Sequence, residues 1–183
     1  MEPATRNEER LVLASIDTCG QTNREVADPW LVLALLRLEG DLGVPSSARG
    51  VLPAIWCIEA SMRTESPKGG LIRGDFSGGH AASHGPLQIA EWQEAWCGMR
   101  PGSRDNLLLA AECWVQRTNS FLGAKTKECG ARDAWRVAEA MTSNPHKYKW
   151  HGCKAASKHW RQLARVQVIM QPVAVGAPPA LQP

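Results

Sequence analysis

One glycine-rich interruption in an otherwise helical pattern constrains the fold of this chain most. Between Pro67 and Gly85, six of nineteen residues are glycine, and Asp75 and Ser77 add further turn-forming side chains. On both sides of this segment, apolar residues recur at helical spacing. We therefore expect a mainly α-helical protein with a glycine-rich loop or a small β-hairpin in the middle of the chain.

Start and stop signals place the predicted helices. Asp28 followed by Pro29 is typical of an N-cap with proline at the first helical position, and Ser103 is expected to cap a longer helix. We predict helices over residues 11–19, 28–38, 46 or 53 to 62, 90–96, 103–121, 132–141 and 154–170.

The chain of 183 residues has the length of one compact domain. Residues 1–10 are polar and are predicted to form a flexible N-terminus, and residues 11–170 are predicted to form the single domain. Residues 171–183 contain four prolines and no charged side chain, which predicts a disordered tail.

Composition and charge exclude several classes of protein. Hydrophobic residues make up 44% and charged residues 21%, which excludes wholesale disorder and a fibrous architecture. The net charge of +3 is too small to indicate nucleic acid as the main partner. The longest apolar run, 30–36, is far shorter than the roughly 20 residues of a membrane-spanning helix. A basic face on the last predicted helix is expected to be solvated: Lys154, Lys158, Arg161 and Arg165.

Cysteines and histidines do not show the spacing of a metal or redox site. The six cysteines include no Cys-x-x-Cys pair, and their even number permits up to three disulfides. The first ten residues lack the basic start and apolar stretch of a secretory signal, so we expect synthesis in the cytoplasm and free, mostly buried thiols. The five histidines are expected at surface or loop positions, and no metal or cofactor is expected.

The window from Ile55 to Ile89 carries the most specific pattern. An apolar helix ends near a glutamate, Gly74-Asp75 follows in the glycine-rich loop, and the segment 85–89 reads Gly-Pro-Leu-Gln-Ile. Over residues 45–165 the chain resembles the lysozyme-like superfamily, in particular phage-encoded soluble lytic transglycosylases and goose-type lysozymes. The resemblance implies a lysozyme-like fold, a catalytic glutamate near the end of the helix, and a cleft lined by segment 85–89.

Two glutamates compete for the catalytic position. Glu59 follows the apolar run and has Met62 three residues after it, as the family pattern expects, although it lies 26 residues before Gly85. Glu65 has the more usual spacing of 20 residues, but Lys68 stands where the family has an apolar residue. The pattern favours Glu59.

The reaction requires a carboxylic acid that remains protonated near neutral pH. Trp56, Ile55 and Ile58 are apolar neighbours expected to raise the pKa of Glu59. Asp75 separates two reaction types: a second carboxylate gives a hydrolase, whereas a lytic transglycosylase works with one glutamate. Alternatively, Asp75 is only a turn residue.

The resemblance also implies residues that bind sugar. Ser83 and Gln88 are expected to contact sugar hydroxyls or N-acetyl groups, or else to bond within the hairpin. Trp92 and Trp96 lie four residues apart and are expected to pack in the core, unless one of them stacks on a sugar ring. The predicted substrate-binding residues are Ser83, Gly85, Gln88, Trp92 and Tyr148.

These expectations combine into a lytic transglycosylase that cleaves the β-1,4 bond between N-acetylmuramic acid and N-acetylglucosamine in peptidoglycan. The expected partners are glycan strands at the cell wall and, for a phage-like member, virion proteins. The alternatives are a muramidase that uses Asp75 and a non-enzymatic virion or glycan-binding protein of the same fold.

Overall fold

The structure, a computed structural model, describes residues 3–20, 27–77, 80–100, 102–144, 149 and 151–170, with only the backbone described for 75–77 and 80–82. This part of the chain is mainly helical with one small antiparallel sheet, which confirms the predicted mainly α class. Among the described residues no helix is both long and apolar enough to cross a membrane. The predicted tail, 171–183, lies outside the described residues.

Seven α-helices and three strands follow one another in the described residues, joined in places by short 3-10 turns. The helices are α1 (Arg6–Thr18), α2 (Pro29–Asp41), α3 (Val51–Ala60), α4 (Glu91–Trp96), α5 (Leu107–Cys129), α6 (Ala131–Ser143) and α7 (Lys158–Met170). The strands are β1 (Arg73–Ser77), β2 (His80–His84) and β3 (Ile89–Ala90), and the 3-10 turns are Ser46–Ala48, Ser103–Asp105 and Gly152–Lys154.

Helix α1 begins at Arg6, inside the segment that the sequence predicted to be flexible. The Thr5 hydroxyl accepts the N–H of Glu8, and the Glu8 carboxylate accepts the N–H of Thr5, which completes a capping box. Arg37 of α2 forms an ion pair with Glu8 at 3.1 Å. These contacts fix the first turn and move the helix start five residues before Leu11.

Helix α3 is the central element of the core. Its first seven residues, 51–57, are buried, and the helix packs against α2 and α7. It ends at Ala60 rather than at the expected Met62, because Ser61 and Met62 both adopt left-handed backbone conformations. Glu59 therefore lies in the last turn of a helix whose other end is anchored in the core.

A buried glutamate caps the start of α3. Glu39 of α2 is fully buried, and its two carboxylate oxygens accept the N–H groups of Gly50 and Leu52, each at 2.7 Å. Gly50 has no side chain that could cap the helix, so the carboxylate from the neighbouring helix takes that role. Burial raises the pKa of Glu39 to about 7, against the opposing effect of the two N–H groups and Arg49.

We expect this group to make stability fall as the pH rises from about 4.5 to about 7. The folded state holds the Glu39 proton up to about pH 7, whereas the unfolded chain releases it near the ordinary value of 4.5. The stabilisation is complete below 4.5 and is lost as the pH rises through 7. Urea unfolding at the two ends of this pH range measures how the free energy of unfolding changes with pH, and Glu39→Gln should make this change smaller. An equal change in the variant would contradict this assignment.

The glycine-rich segment forms the predicted small hairpin. Strands β1 and β2 pair antiparallel with Gly74 opposite Ser83, and β3 adds to the other edge of β2. Leu87 and Ile89 are buried, so the segment between β2 and β3 packs onto the core. Ser103 does not cap α5, because it opens a 3-10 turn and the Asn106 side chain caps the helix instead.

The expectation of free cysteine thiols is wrong. All six cysteines are paired: Cys19–Cys57, Cys97–Cys113 and Cys129–Cys153. Helix packing brings the paired Cα atoms to 5.6, 5.5 and 5.3 Å, which suits a disulfide. The spacing of the cysteines along the sequence did not predict these pairs. The first disulfide ties the end of α1 to α3, two residues before Glu59.

Candidate active site

Glu59 is held from one side by two basic residues of α7. Its Oε1 atom lies 2.5 Å from Nε2 of His159 and 3.0 Å from Nζ of Lys158. Among the described residues, no hydrogen bond or ion pair engages Oε2. The side chain is 14% exposed, so the carboxyl group is mostly enclosed but still reaches solvent.

His159 is fully buried between two carboxyl groups. Its Nε2 atom contacts Glu59, and its Nδ1 atom lies 2.8 Å from Oε1 of Glu139 on α6. The edge of the Trp114 ring on α5 packs against the imidazole, with the ring centroids 5.4 Å apart. We call Glu59, His159 and Glu139 the carboxylate–histidine chain.

Ser157 fixes the far end of the carboxylate–histidine chain. Its hydroxyl donates to Oε2 of Glu139 at 2.5 Å and accepts the N–H of Trp160 at 3.1 Å. Because Ser157 directly precedes α7, these bonds set the position of the first turn of that helix. Helix α7 therefore begins at Lys158, after the 3-10 turn that contains the predicted start at Lys154. The first turn carries both residues that contact Glu59.

The pKa of Glu59 in the carboxylate–histidine chain differs from the sequence-based expectation. Burial raises the pKa of Glu59, but hydrogen bonds and charge from His159 and Lys158 outweigh it, so the pKa is lowered. Burial lowers the pKa of His159, but hydrogen bonds and charge from Glu139 and Glu59 outweigh it, so this pKa is raised. The expected effect of Trp56, Ile55 and Ile58 on Glu59 is thus wrong in net direction, because basic partners outweigh burial.

The residues that contact Glu59 were not predicted from the sequence as members of the site. His159 was expected at a surface or loop position, which is wrong, and Lys158 was expected to be solvated. The helical spacing of buried residues could have predicted the position of His159, because His159 lies on the same buried face of α7 as Leu163 and Val166. Glu139 likewise follows Trp135 by one helical turn on the buried face of α6. A polar residue at a core position of a helix is the signal that was available.

Glu65, the alternative acid, has a different environment. It is exposed, and no described residue forms a hydrogen bond or ion pair with it. It lines an open cavity of about 510 Å³ beyond the end of α3, together with Ser61, Arg63 and Arg73. Ala60, next to Glu59 in the chain, lines the same cavity. The cavity thus extends from the end of α3 to Glu65, and its lining does not include Glu59.

Three predicted binding residues, Ser83, Gly85 and Gln88, meet at the end of β2 and in the segment that follows it. The Ser83 hydroxyl donates to Oε1 of Gln88 at 3.0 Å, and Nε2 of Gln88 donates to the carbonyl of Gly85 at 2.8 Å. A Cβ atom added at Gly74 would lie 1.8 Å from Oε1 of Gln88. The bonds within the hairpin therefore exist, and they hold the Gln88 amide in one place against β1.

Trp92 and Trp96 do not pack in the core, which corrects the expectation. They are 55% and 45% exposed, and both rings contact the guanidinium of Arg117. The ring of Phe121 contacts the same guanidinium. Short helix α4 presents both tryptophans to solvent, and Arg117 of α5 holds them in place by cation–π contacts. Exposed, immobilised indole faces are suited to stacking on sugar rings.

The side chains of two predicted site residues, Tyr148 and Asp75, are not described by the structure. Tyr148 is not among the described residues. Asp75 belongs to β1, but only its backbone is described. In the described part of the chain, no cluster of histidine, cysteine, aspartate and glutamate could hold a metal ion.

Comparison with known proteins gave no relative. No protein-family model matches the chain, and no curated protein or solved structure is significantly similar to it. Membership of the lysozyme-like superfamily therefore stays a prediction from the motif. The site has to be interpreted from its own geometry.

Proposed function

We propose that the protein is a peptidoglycan lytic transglycosylase and that Glu59 is its general acid. The observation that supports this most is the environment of Glu59: it lies in the last turn of a buried helix, its side chain is mostly enclosed but still reaches solvent, and it is hydrogen-bonded to a buried histidine. Glycosidic cleavage requires a carboxyl group that can hold and donate a proton, and the contact with His159 gives Glu59 a neighbour from which it can receive one. Exposed Glu65 has no such partner among the described residues.

The proposed reaction needs a single carboxyl group. Glu59 donates its proton to the glycosidic oxygen while the bond from that oxygen to C1 of N-acetylmuramic acid breaks. The C6 hydroxyl of the same sugar then attacks C1, and its proton passes to the Glu59 carboxylate. The products are a free 4-hydroxyl and a 1,6-anhydro ring. No water is consumed, and Glu59 ends with the proton that it began with.

The remaining site residues are proposed to position the glycan. Gln88 and Ser83 present neutral amide and hydroxyl groups, which suit an uncharged sugar. Trp92 offers an exposed ring for stacking. The roles of Tyr148 and Asp75 stay predictions, and the muramidase alternative depends on Asp75.

Three disulfides support a site of action outside the reducing cytosol. We propose action at the cell wall, with glycan strands as the partner and carriage in a phage virion as one route to it. Production for experiments accordingly requires oxidising conditions, so that all three pairs form.

Digestion of purified bacterial sacculi tests the proposal. The oxidised protein should release soluble muropeptides and lower the turbidity of the suspension. The exposed Trp92 and Trp96 make glycan binding without cleavage the competing outcome. In that case, the protein would sediment with the sacculi while the supernatant remained free of muropeptides.

We expect Gly74→Ala to weaken glycan binding with little effect on folding. The new Cβ would displace the Gln88 amide from its place against β1, and a flexible side chain can move without disturbing the backbone. KM for soluble glycan chains should rise by about tenfold, the loss of roughly one hydrogen bond to substrate. Gly123→Ala, at a helical glycine with open space around it, is the matched control and should leave KM unchanged.

A further inference from the structure

The carboxylate–histidine chain contains more than a general acid needs. A carboxyl group that only donates one proton requires an enclosed position, yet here a buried imidazole touches it at 2.5 Å and a second, fully buried carboxyl group holds the other ring nitrogen. A carboxylate can only accept hydrogen bonds, so an imidazole between two carboxylates donates from both nitrogens and carries a positive charge. The raised pKa of His159 and the lowered pKa of Glu59, each caused by the contact between them and by their other hydrogen-bonded and charged neighbours, favour the arrangement in which His159 holds the proton and Glu59 is ionised.

We propose that His159 is a positioning residue that stores the proton used by Glu59, that Glu139 holds His159 in the donating orientation, and that bound glycan moves the proton from Nε2 to Oε1. This inference rests on the proposed function. The step is a transfer of one proton within the pair: the N–H bond of His159 breaks, the O–H bond of Glu59 forms, and both groups become neutral.

The environment of the pair explains why glycan would trigger the transfer. An ion pair is stabilised by water and by nearby charge, whereas a neutral pair is favoured where water is excluded. Glu59 is 14% exposed and Lys158 is 46% exposed, so both side chains of this ion pair are partly open to solvent. A sugar ring against Glu59 would cover the exposed part of its carboxyl group and displace the flexible lysine from Oε1.

The groups that face the imidazole are known for each element packed against it in the described residues. Glu59 comes from α3, Glu139 from α6 and the ring of Trp114 from α5, while Lys158 precedes His159 on α7. Glu139 gives His159 its second carboxylate partner, and Ser157 fixes that partner. Replacing the carboxyl group of Glu139 by an amide should therefore weaken the hold of His159 on its proton while keeping a hydrogen-bonding partner at Nδ1.

The dependence of kcat/KM on pH tests this arrangement. The active enzyme carries one proton in the pair, so activity falls on the alkaline side when that shared proton leaves. In His159→Gln the proton must be held by Glu59 alone, and the alkaline limb should move to lower pH by about one unit or more. In Glu139→Gln, which keeps a polar partner for Nδ1 and for Ser157, the limb should move in the same direction by a smaller amount.

Lys158→Gln is the matched control, because it also removes a cation that contacts Oε1 of Glu59. Loss of that charge favours protonation, so the alkaline limb should not move to lower pH. Thermal unfolding of each variant identifies any that fail to fold, and Glu139→Gln carries the test if His159→Gln is among them.

The outcomes separate this inference from the proposed function. If wild type releases muropeptides but both variants lose activity equally at every pH, with the alkaline limb unmoved, His159 has only a structural role and the inference is overturned. If wild type releases no muropeptides, the proposed function and the inference both fail. An NMR titration adds a readout independent of cleavage: the His159 ring should titrate at higher pH than an ordinary histidine, and Glu139→Gln should lower that value.

Discussion

Glu59→Gln should reduce the rate of muropeptide release by about 10³-fold. The substitution keeps the shape and the oxygen that His159 and Lys158 contact, but it removes the proton that has to reach the glycosidic oxygen. The fold should persist, because α3 is anchored by burial of residues 51–57 and by its disulfide to α1. Release rates from sacculi at equal protein concentration measure the effect, with circular dichroism to confirm folding.

Glu65→Gln is the matched control for this substitution. Glu65 is exposed and makes no described hydrogen bond or ion pair, so its variant should release muropeptides at about the wild-type rate, within the scatter expected for surface changes. The reverse result, an inactive Glu65→Gln and an active Glu59→Gln, would show that the acid lies six residues further along the chain.

Gly85→Ala should destabilise the protein by about 3 kcal/mol or more. Gly85 has a φ of 79°, and a Cβ atom there would lie 2.0 Å from the carbonyl oxygen and 2.7 Å from the carbonyl carbon of Arg104. These are backbone atoms of a segment that an ion pair between Arg104 and Glu94 also holds, so they cannot give way. Urea unfolding measures the loss of stability. The added Cβ atom should also displace segment 85–89.

Gly98→Ala separates steric overlap from backbone strain. Gly98 also has a positive φ, 65°, but nothing lies within 4 Å of an added Cβ atom. Its variant should lose only about 1 kcal/mol, the cost of placing an alanine in a left-handed conformation. Equal losses at the two positions would mean that Arg104 moves aside and that the close approach does not hold the segment.

Local signals in the sequence predicted most of the fold. The Asp28 cap with Pro29 marks the start of α2, and the glycines between Pro67 and Gly85 mark the hairpin, because both depend on residues adjacent in the chain. Boundaries were wrong where a partner from elsewhere decides them. Helix α3 begins at Val51 because Glu39, on another helix, supplies its cap.

The candidate site was predictable only in part, for the same reason. Glu59 was singled out as the candidate acid because its motif is local, and its role stays a prediction. Its main partner, His159, lies 100 residues away, and Glu139 lies 20 residues before that. The disulfide pairs and the pKa shift of Glu59 also depend on which helices pack together. No spacing rule along the chain specifies such contacts, although polar residues on the buried faces of α6 and α7 mark where to search.

The mass of the muropeptides released from sacculi by the wild-type protein tests the central claim most directly. Transglycosylation closes a 1,6-anhydro ring and adds no water, whereas hydrolysis leaves a reducing end that is heavier by one water molecule. We predict that the released fragments end in 1,6-anhydro-N-acetylmuramic acid. Fragments with reducing ends would contradict a transglycosylase and indicate a muramidase with a second carboxylate, and the absence of fragments would contradict an enzyme of either kind.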